Sequence, residues 1–262
     1  MYPELDTGPL TLQTFGLMFA LAFLAAGALV GKRLIELGKP VDWAYEIGFA
    51  ALIGGVVGSR VYFVIQNYDS VKEDLLGNLF GGSGLVWYGG AIGGALAVLA
   101  WAWYRDFLRL ALLDLVAPAL ALGYAIGRIG CQLSGDGDYG KPWNGPWAMS
   151  YPDGTVPTDR TVHPTPIYET LAMGLGAWVL WQLRDRFRAG VLFAIYLAYA
   201  GAERFLVEFI RRNDHVLLGL TGAQLESLAM MFVGLGWLYA VRQRNGTLSR
   251  SAAGNVAQNF SS

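Results

Sequence analysis

Cysteine and histidine are nearly missing from this chain. One cysteine, Cys131, in 262 residues leaves no partner for an intrachain disulfide and no thiolate set for a metal. Two histidines, His163 and His215, exclude a histidine-rich metal centre. No metal and no cofactor are therefore expected. Charge is scarce too. Only 15% of the residues are Asp, Glu, Lys or Arg, where a soluble domain carries about 25%. The net charge of −1 excludes a global polycation, and with it nucleic acid as the expected partner. Ahead of the first apolar run stand Glu4 and Asp6 and no basic leader, which is not the form of a cleaved signal peptide.

What fills the chain instead is apolar. Hydrophobic residues make up 54%, glycines number 35, and mean hydropathy is +0.39, all pointing to lipid as the solvent. Seven stretches approach the roughly 20 apolar residues that a bilayer core demands of a helix: 12–31, 44–65, 85–103, 110–130, 166–183, 190–210 and 223–241. The expected fold is all-α, a polytopic membrane protein of seven transmembrane helices. Most links are short and polar. The exceptions are 66–84 and 132–165, the latter rich in Gly, Pro, Asp and Trp. Lys and Arg favour the cytoplasmic side. One set of connections holds eleven (Lys32, Arg33, Lys39, Arg105, Arg109, Arg184, Arg186, Arg188, Arg242, Arg244, Arg250) and the other holds five (Lys72, Lys141, Arg160, Arg211, Arg212). That bias predicts the N-terminus outside, the C-terminus inside and both long loops outside. The domain reading is one membrane domain over 1–245 with an outer insert at 132–165, and a polar, disordered cytoplasmic tail at 246–262.

Three arginines, Arg60, Arg128 and Arg204, fall inside the predicted spans, in the outer halves of spans two, four and six. Each costs at least about 2.5–3.5 kcal/mol at a helix centre, so each needs a reason. A single one is equally well explained by snorkelling to the interface. Three at one depth, among glycines such as Gly127 and Gly130 that let a ligand approach, suit a phospholipid headgroup, because a guanidinium fork matches phosphate oxygens. Glu208, one turn beyond Arg204, either neutralises it or holds it in a fixed direction. Glu203 and Arg211 belong to the same sequence cluster. Span three opens with Trp87, Tyr88, Gly89 and Gly90, where small residues permit close approach of a helix or a lipid. The outer loop begins Cys131-Gln132-Leu133-Ser134-Gly135-Asp136-Gly137-Asp138. It lacks the further ligands of a calcium loop, and a tight turn with carboxylates facing the arginines is expected. Further on, His163-Pro164-Thr165-Pro166 leads into Tyr168 and Glu169. The prolines fit a helix first turn and Glu169 fits its dipole. His163 stands at the outer interface as a base or a cap.

These segments, in this order, resemble the prolipoprotein diacylglyceryl transferase family. The resemblance runs from Phe15-Gly16-Leu17-Met18 through Gly58-Ser59-Arg60-Val61, Tyr88-Gly89-Gly90 and Asp114-Leu115-Val116-Ala117-Pro118. It continues through Gly127-Arg128-Ile129-Gly130, His163-Pro164 with Tyr168-Glu169, the run Arg204 to Arg211, and Thr221-Gly222-Ala223-Gln224. It implies transfer of the diacylglyceryl unit of phosphatidylglycerol to the lipobox cysteine thiol of a prolipoprotein, with glycerol phosphate released, by a monomer in a bacterial inner membrane. On that resemblance Arg128 holds the phosphate and Arg60 completes the anionic pocket. Arg204, backed by Glu208, stabilises charge on the leaving group. Tyr88, His163, Asp136, Tyr168, Glu169, Gly89, Gly90, Gly127 and Gly130 complete the expected site. Three positions depart from the family. Tyr88 stands where it has a histidine, Cys131 where it has an asparagine, and Phe19 where it has a tyrosine. Two other readings remain open at this point: a lipid-modifying transferase with another acceptor, and a phospholipid-binding protein without catalysis.

Overall fold

The computed structural model describes residues 2–6, 8, 11–68 and 86–250. Most of the connection expected at 66–84, with Lys72, the Leu85 start of span three, the Trp87 side chain and the tail from 251 lie outside the described residues. Seven helices stand among those described, and they match the seven apolar stretches one for one. They are α1 (Thr14–Glu36), α2 (Asp42–Gln66), α3 (Trp87–Tyr104), α4 (Leu110–Ser134), α5 (Thr165–Leu183), α6 (Val191–Glu208) and α7 (Gly222–Asn245). Four of them, α1, α2, α4 and α7, are long and apolar enough to cross a membrane by length and composition. Leu24, Phe49, Leu171, Trp178, Leu206 and Phe232 lie exposed on the helices. Such a surface is a liability in water and ordinary in lipid.

Among the described residues, three two-stranded hairpins were not expected from the sequence: β1 (Glu4–Asp6) with β2 (Thr11–Gln13), β3 (Met149–Tyr151) with β4 (Thr158–Val162), and β5 (His215–Leu217) with β6 (Leu220–Thr221). Leu218 and Gly219 turn the last of these with φ of 52° and 74°. The chain divides into two compact units, one of residues 1–30 and 110–262 and the other of residues 31–109.

In the larger unit α4, α5, α6 and α7 pack around Ala121, Ala125, Met173, Ala177, Leu180, Leu192 and Ala200. Small residues let the backbones meet. A Cβ on Gly201 would come within 2.6 Å of the Ser227 carbonyl on α7, and one on Gly234 within 2.7 Å of the Ala194 carbonyl on α6. The acidic residue of α4 serves another helix. Asp114 accepts the backbone N–H of Gly190 at 2.7 Å and of Phe193 at 2.9 Å, so the orphan donors at the start of α6 are satisfied from outside its own sequence. At the far end of α7, Arg188 N–H donates to the Leu248 carbonyl at 3.1 Å and Arg250 N–H to the Arg186 carbonyl at 3.0 Å. The polar tail therefore begins by pairing with the α5–α6 connection.

In the smaller unit α2 and α3 touch backbone to backbone. A Cβ on Gly58 would meet the Gly89 carbonyl at 2.3 Å and Gly93 Cα at 2.7 Å, and one on Gly54 would meet the Gly93 carbonyl at 2.5 Å. Of the two readings left open for the span-three glycines, close helix contact is the one observed. Trp101 Nε1 and Arg105 both donate to Glu46 at the other end of the pair.

Candidate functional site

At one end of the larger unit, three arginines and three carboxylates interlock. Arg128 lies near the end of α4, Arg204 and Glu208 near the end of α6, and Glu169 in the second turn of α5. Asp138 comes from the loop after α4 and Arg211 from just beyond α6. Glu169, with no exposed surface, is the hub. Its Oε1 accepts Tyr124 Oη at 2.8 Å and lies 3.3 Å from both Arg128 Nη2 and Arg204 Nη1, while its Oε2 lies 3.4 Å from Arg211 Nη1. Glu208 is equally enclosed. Its Oε2 pairs with Arg204 Nη2 at 2.9 Å, and its Oε1 accepts the Asn213 amide at 2.6 Å and the Thr221 hydroxyl at 2.8 Å. Asp138 bridges Arg128 through one carboxylate oxygen and Arg211 through the other.

Local sequence explains the placement. Gly137, with φ of 92°, lets the chain turn between Asp136 and Asp138. The buried Thr165 hydroxyl, at the start of α5, donates to the Asp138 carbonyl at 2.6 Å and holds that turn against the helix that carries Glu169. Pro164 and Pro166 open α5 as expected. Thr221 and Gln224 form a capping box at the start of α7, so the Thr221-Gly222-Ala223-Gln224 segment ties α7 to Glu208.

Three arginines balance three carboxylates in this lattice, so the arginines expected to meet a phosphate already carry counter-ions, with Arg211 in the place where Arg60 was expected. Burial of so many charges is tolerable only because each is paired and hydrogen-bonded. The carboxylates differ in exposure. Glu169 and Glu208 show none, whereas the Asp138 side chain is 31% exposed. Burial works to raise the Asp138 pKa, but the charges of Arg128 and Arg211 outweigh it and hold the carboxyl below its ordinary range. The Arg128 and Arg204 side chains remain partly exposed, and a Cβ at Gly127 would meet nothing within 4 Å. Gly130, by contrast, packs on Met18 and Phe15 of α1.

The other expected site residues fall elsewhere. His163 stacks on Trp143 at 4.4 Å and 9°, and its Nδ1 lies 3.3 Å from the Tyr168 hydroxyl, which accepts Trp147 Nε1 at 2.8 Å. It belongs to this aromatic group, and burial lowers its pKa. Asp136 accepts the Asp138 N–H at 3.2 Å and bonds Cys131, and burial raises its pKa. Cys131 is buried, with its Sγ and the Asp136 and Asp138 oxygens all within 4.8 Å of one another. Both oxygens of Asp138 are engaged by guanidinium groups, which repel a cation and leave the group a poor metal site. Phe19 is half exposed on α1 beside Phe23. Arg60, Tyr88, Gly89 and Gly90 lie in the smaller unit. Arg60 is buried on α2, Tyr88 is 43% exposed with its ring 6.4 Å from that of Tyr62, and Gly89 and Gly90 face α2. The expected turn with a carboxylate facing the arginines is present in Asp138. Tyr124 was missed by the sequence reading, and Arg211, counted there among the outer connections, is 7% exposed within the lattice.

A family model described as prolipoprotein diacylglyceryl transferase matches residues 4–240. The phosphatidylglycerol–prolipoprotein diacylglyceryl transferase of Clostridium tetani is 32% identical over 231 residues, covering 86% of this chain and 92% of that protein. The protein of the same name from Bordetella parapertussis is 32% identical over 92% of this chain and 97% of its own length. That from Erythrobacter litoralis is 30% identical, with 96% and 94% covered.

Proposed function

This chain belongs to the prolipoprotein diacylglyceryl transferase family, and on that premise we propose that it transfers the diacylglyceryl group of phosphatidylglycerol to the lipobox cysteine thiol of a prolipoprotein. It is a membrane enzyme. We place it in a bacterial inner membrane as a monomer with all seven helices spanning, N-terminus outside and C-terminus inside, in keeping with eleven basic residues on one set of connections and five on the other. The lattice then lies at the outer end of the helices.

The observation that carries the reading is the pair of partly open arginines, Arg128 and Arg204, tethered to one fully buried carboxylate, Glu169. Shared tethering fixes two guanidinium forks relative to each other before any ligand arrives, which is the preorganisation that charge-stabilising catalysis requires. The lipid phosphate brings one negative charge to a lattice already neutral. Asp138, the partly exposed loop-borne counter-ion, is the carboxylate it displaces from Arg128. Arg204, held by Glu208 one turn away, stabilises the charge that gathers on the leaving glycerol phosphate. The thiolate forms its carbon–sulfur bond to the glyceryl CH2 as the carbon–oxygen bond to phosphate breaks, and the electron pair leaves with the phosphate. Holding lipid and peptide in one place supplies proximity. Within this unit, the open space beside Gly127 is where the headgroup approaches.

The test is transfer itself. Purified protein in phosphatidylglycerol nanodiscs, given a lipobox peptide, should add one diacylglyceryl mass to the cysteine, and Arg128→Ala should abolish the addition while remaining folded. Rescue of cells depleted of their own transferase should follow the same pattern. Bound phosphatidylglycerol with no peptide product would favour the non-catalytic binder, and turnover of the lipid without peptide modification would favour another acceptor.

A further inference from the structure

We propose that Glu203 is the proton acceptor for the incoming thiol in this protein, an assignment that rests on the transferase reading. A free thiol has a pKa of about 8.5, so attack at neutral pH needs a base or a positive field to form the thiolate. A base must first offer an accessible lone pair within reach of the proton. The lattice carboxylates offer none. Both oxygens of Glu169 and of Asp138 already accept from guanidinium or hydroxyl donors. Glu208 accepts the Asn213 amide and the Thr221 hydroxyl at Oε1, while its Oε2, ion-paired with Arg204 and accepting no hydrogen bond, is buried out of a substrate's reach. Asp136 is engaged by the Asp138 N–H and by Cys131. His163 is stacked on Trp143 and bonded to Tyr168, and among the described residues its ring makes no hydrogen bond or ion pair to the lattice.

Glu203 differs from all of these. Among the described residues it makes no hydrogen bond and no ion pair, yet it is only partly exposed. Its direction follows from the helix it stands on. Tyr199, one turn earlier on α6, donates its hydroxyl to the Ala172 carbonyl of α5 and packs its ring on Gly176. Residues four apart share a face, so Glu203 also faces α5. The two helices run antiparallel, and one turn up α6 corresponds to one turn back along α5, from Ala172 to Glu169. Glu203 thus stands beside the hub of the lattice, within electrostatic reach of Glu169, Arg128, Arg204 and Arg211, and of Tyr124 and Tyr199. It is the carboxylate next to the phosphate-holding arginines whose oxygens remain uncommitted.

The proton balance is simple. The thiol proton passes to a Glu203 carboxylate oxygen, and the thiolate displaces glycerol phosphate from the glyceryl carbon. The proton then leaves on the departing phosphate or to water. A base in this place also compensates for the tyrosine that stands at position 88.

The experiment compares two acceptor peptides, one with the lipobox cysteine and one with selenocysteine, whose selenol is already ionised at neutral pH. Wild type, Glu203→Gln and Glu203→Asp are assayed in phosphatidylglycerol nanodiscs, with folding checked by thermal unfolding and lipid retention by mass spectrometry. With the thiol peptide Glu203→Gln should be slower by a hundredfold or more, the usual contribution of a general base, while Glu203→Asp keeps partial activity. With the selenol peptide the deficit of Glu203→Gln should nearly vanish. Wild-type rates on both peptides would overturn the assignment, and so would an equal deficit on both, which would mark a structural role. A wild type inactive on both peptides would instead overturn the transferase reading, and the assignment with it.

Discussion

Replacing Glu169 by glutamine keeps the outline of the side chain and removes one negative charge from a place without exposed surface. In the wild type Arg128, Arg204 and Arg211 face Asp138, Glu169 and Glu208, three charges against three. The variant leaves three guanidinium groups with two carboxylates. Breaking a buried ion pair by removing one partner costs about 3–5 kcal/mol, because the remaining charge stays desolvated. A protein with about 5–15 kcal/mol of stability survives that loss, but not by much. The surplus positive charge should then make the variant unusually responsive to an anionic lipid. A lipid phosphate pairing with the exposed part of Arg128 or Arg204 would supply the missing counter-charge through a charged hydrogen bond, about 1.5–3 kcal/mol. Reversible unfolding should be measured in nanodiscs of phosphatidylcholine and of phosphatidylglycerol. The expected result is a large deficit in the neutral lipid that narrows in the anionic one. Pairing Glu169→Gln with Arg211→Gln restores neutrality, so the double variant should lose less than the two single losses together, by about 0.5–3 kcal/mol. A Glu169→Gln variant within about 0.5 kcal/mol of wild type in both lipids, as for an ordinary surface change, would refute the electrostatic account of the lattice.

Glycine substitutions should separate packing from access. Gly58→Ala forces a Cβ to 2.3 Å from the Gly89 carbonyl, and should destabilise by about 1–3 kcal/mol as α2 and α3 part. Gly127→Ala meets nothing within 4 Å, so it should unfold like wild type yet raise KM for phosphatidylglycerol; an unchanged KM would remove Gly127 from the headgroup's path. Asp114→Ala strips two acceptors from the start of α6 and should cost about 0.5–2 kcal/mol, the range for a lost helix cap, with Asp114→Asn closer to wild type in thermal unfolding. The Asp138 carboxyl has a lowered pKa in the folded state. Its stabilisation is therefore complete above the unfolded value of about 3.9 and is lost only as pH falls through the lower folded value. An acid-unfolding curve for Asp138→Asn should lack that strongly acidic component. His163, lowered by burial, acts with the opposite charge. Below its unfolded pKa of about 6.5 it subtracts stability, a loss that His163→Gln should relieve.

The helices were legible because hydropathy reports directly on what lipid will accept. Each of the seven apolar stretches became a helix, and several run beyond the apolar limit: α1 to Glu36, α4 to Ser134 and α7 to Asn245. Hydropathy marks where lipid ends, whereas the backbone ladder continues into the interface until a turn stops it. The hairpins were not legible. β1, β2 and β5 are exposed along their whole length, and a strand of three residues with no buried face leaves no alternation to read. Arg128, Arg204 and Glu208 were found because charge inside an apolar run is costly and demands a reason. Their counter-ions were legible unevenly. The Gly-Asp-Gly-Asp turn announced carboxylates facing the arginines, without saying that Asp138 and not Asp136 would bridge two of them, and Glu169 sits where a helix dipole already accounts for it. Arg211, just past the last apolar residue, reads as an interface anchor until Asp138 and Glu169 are brought to it from 73 and 42 positions away. Pairing over such separations leaves no mark in local pattern. The turn chemistry did: Pro164, Pro166 and the glycines around Asp136 all do what their residue types predict.

The remote acceptor on α4 also bears on how the chain is made. Asp114 emerges from the ribosome well before Gly190 and Phe193, whose amides it will receive. If α6 spans the bilayer as proposed, its leading amides would otherwise be bare at the edge of the hydrocarbon, where no water reaches them. A receptor for those amides is already waiting in an earlier span. On that arrangement insertion of α6 would be templated by α4, and the arginine near its far end would be delivered to a frame whose start has been fixed in advance.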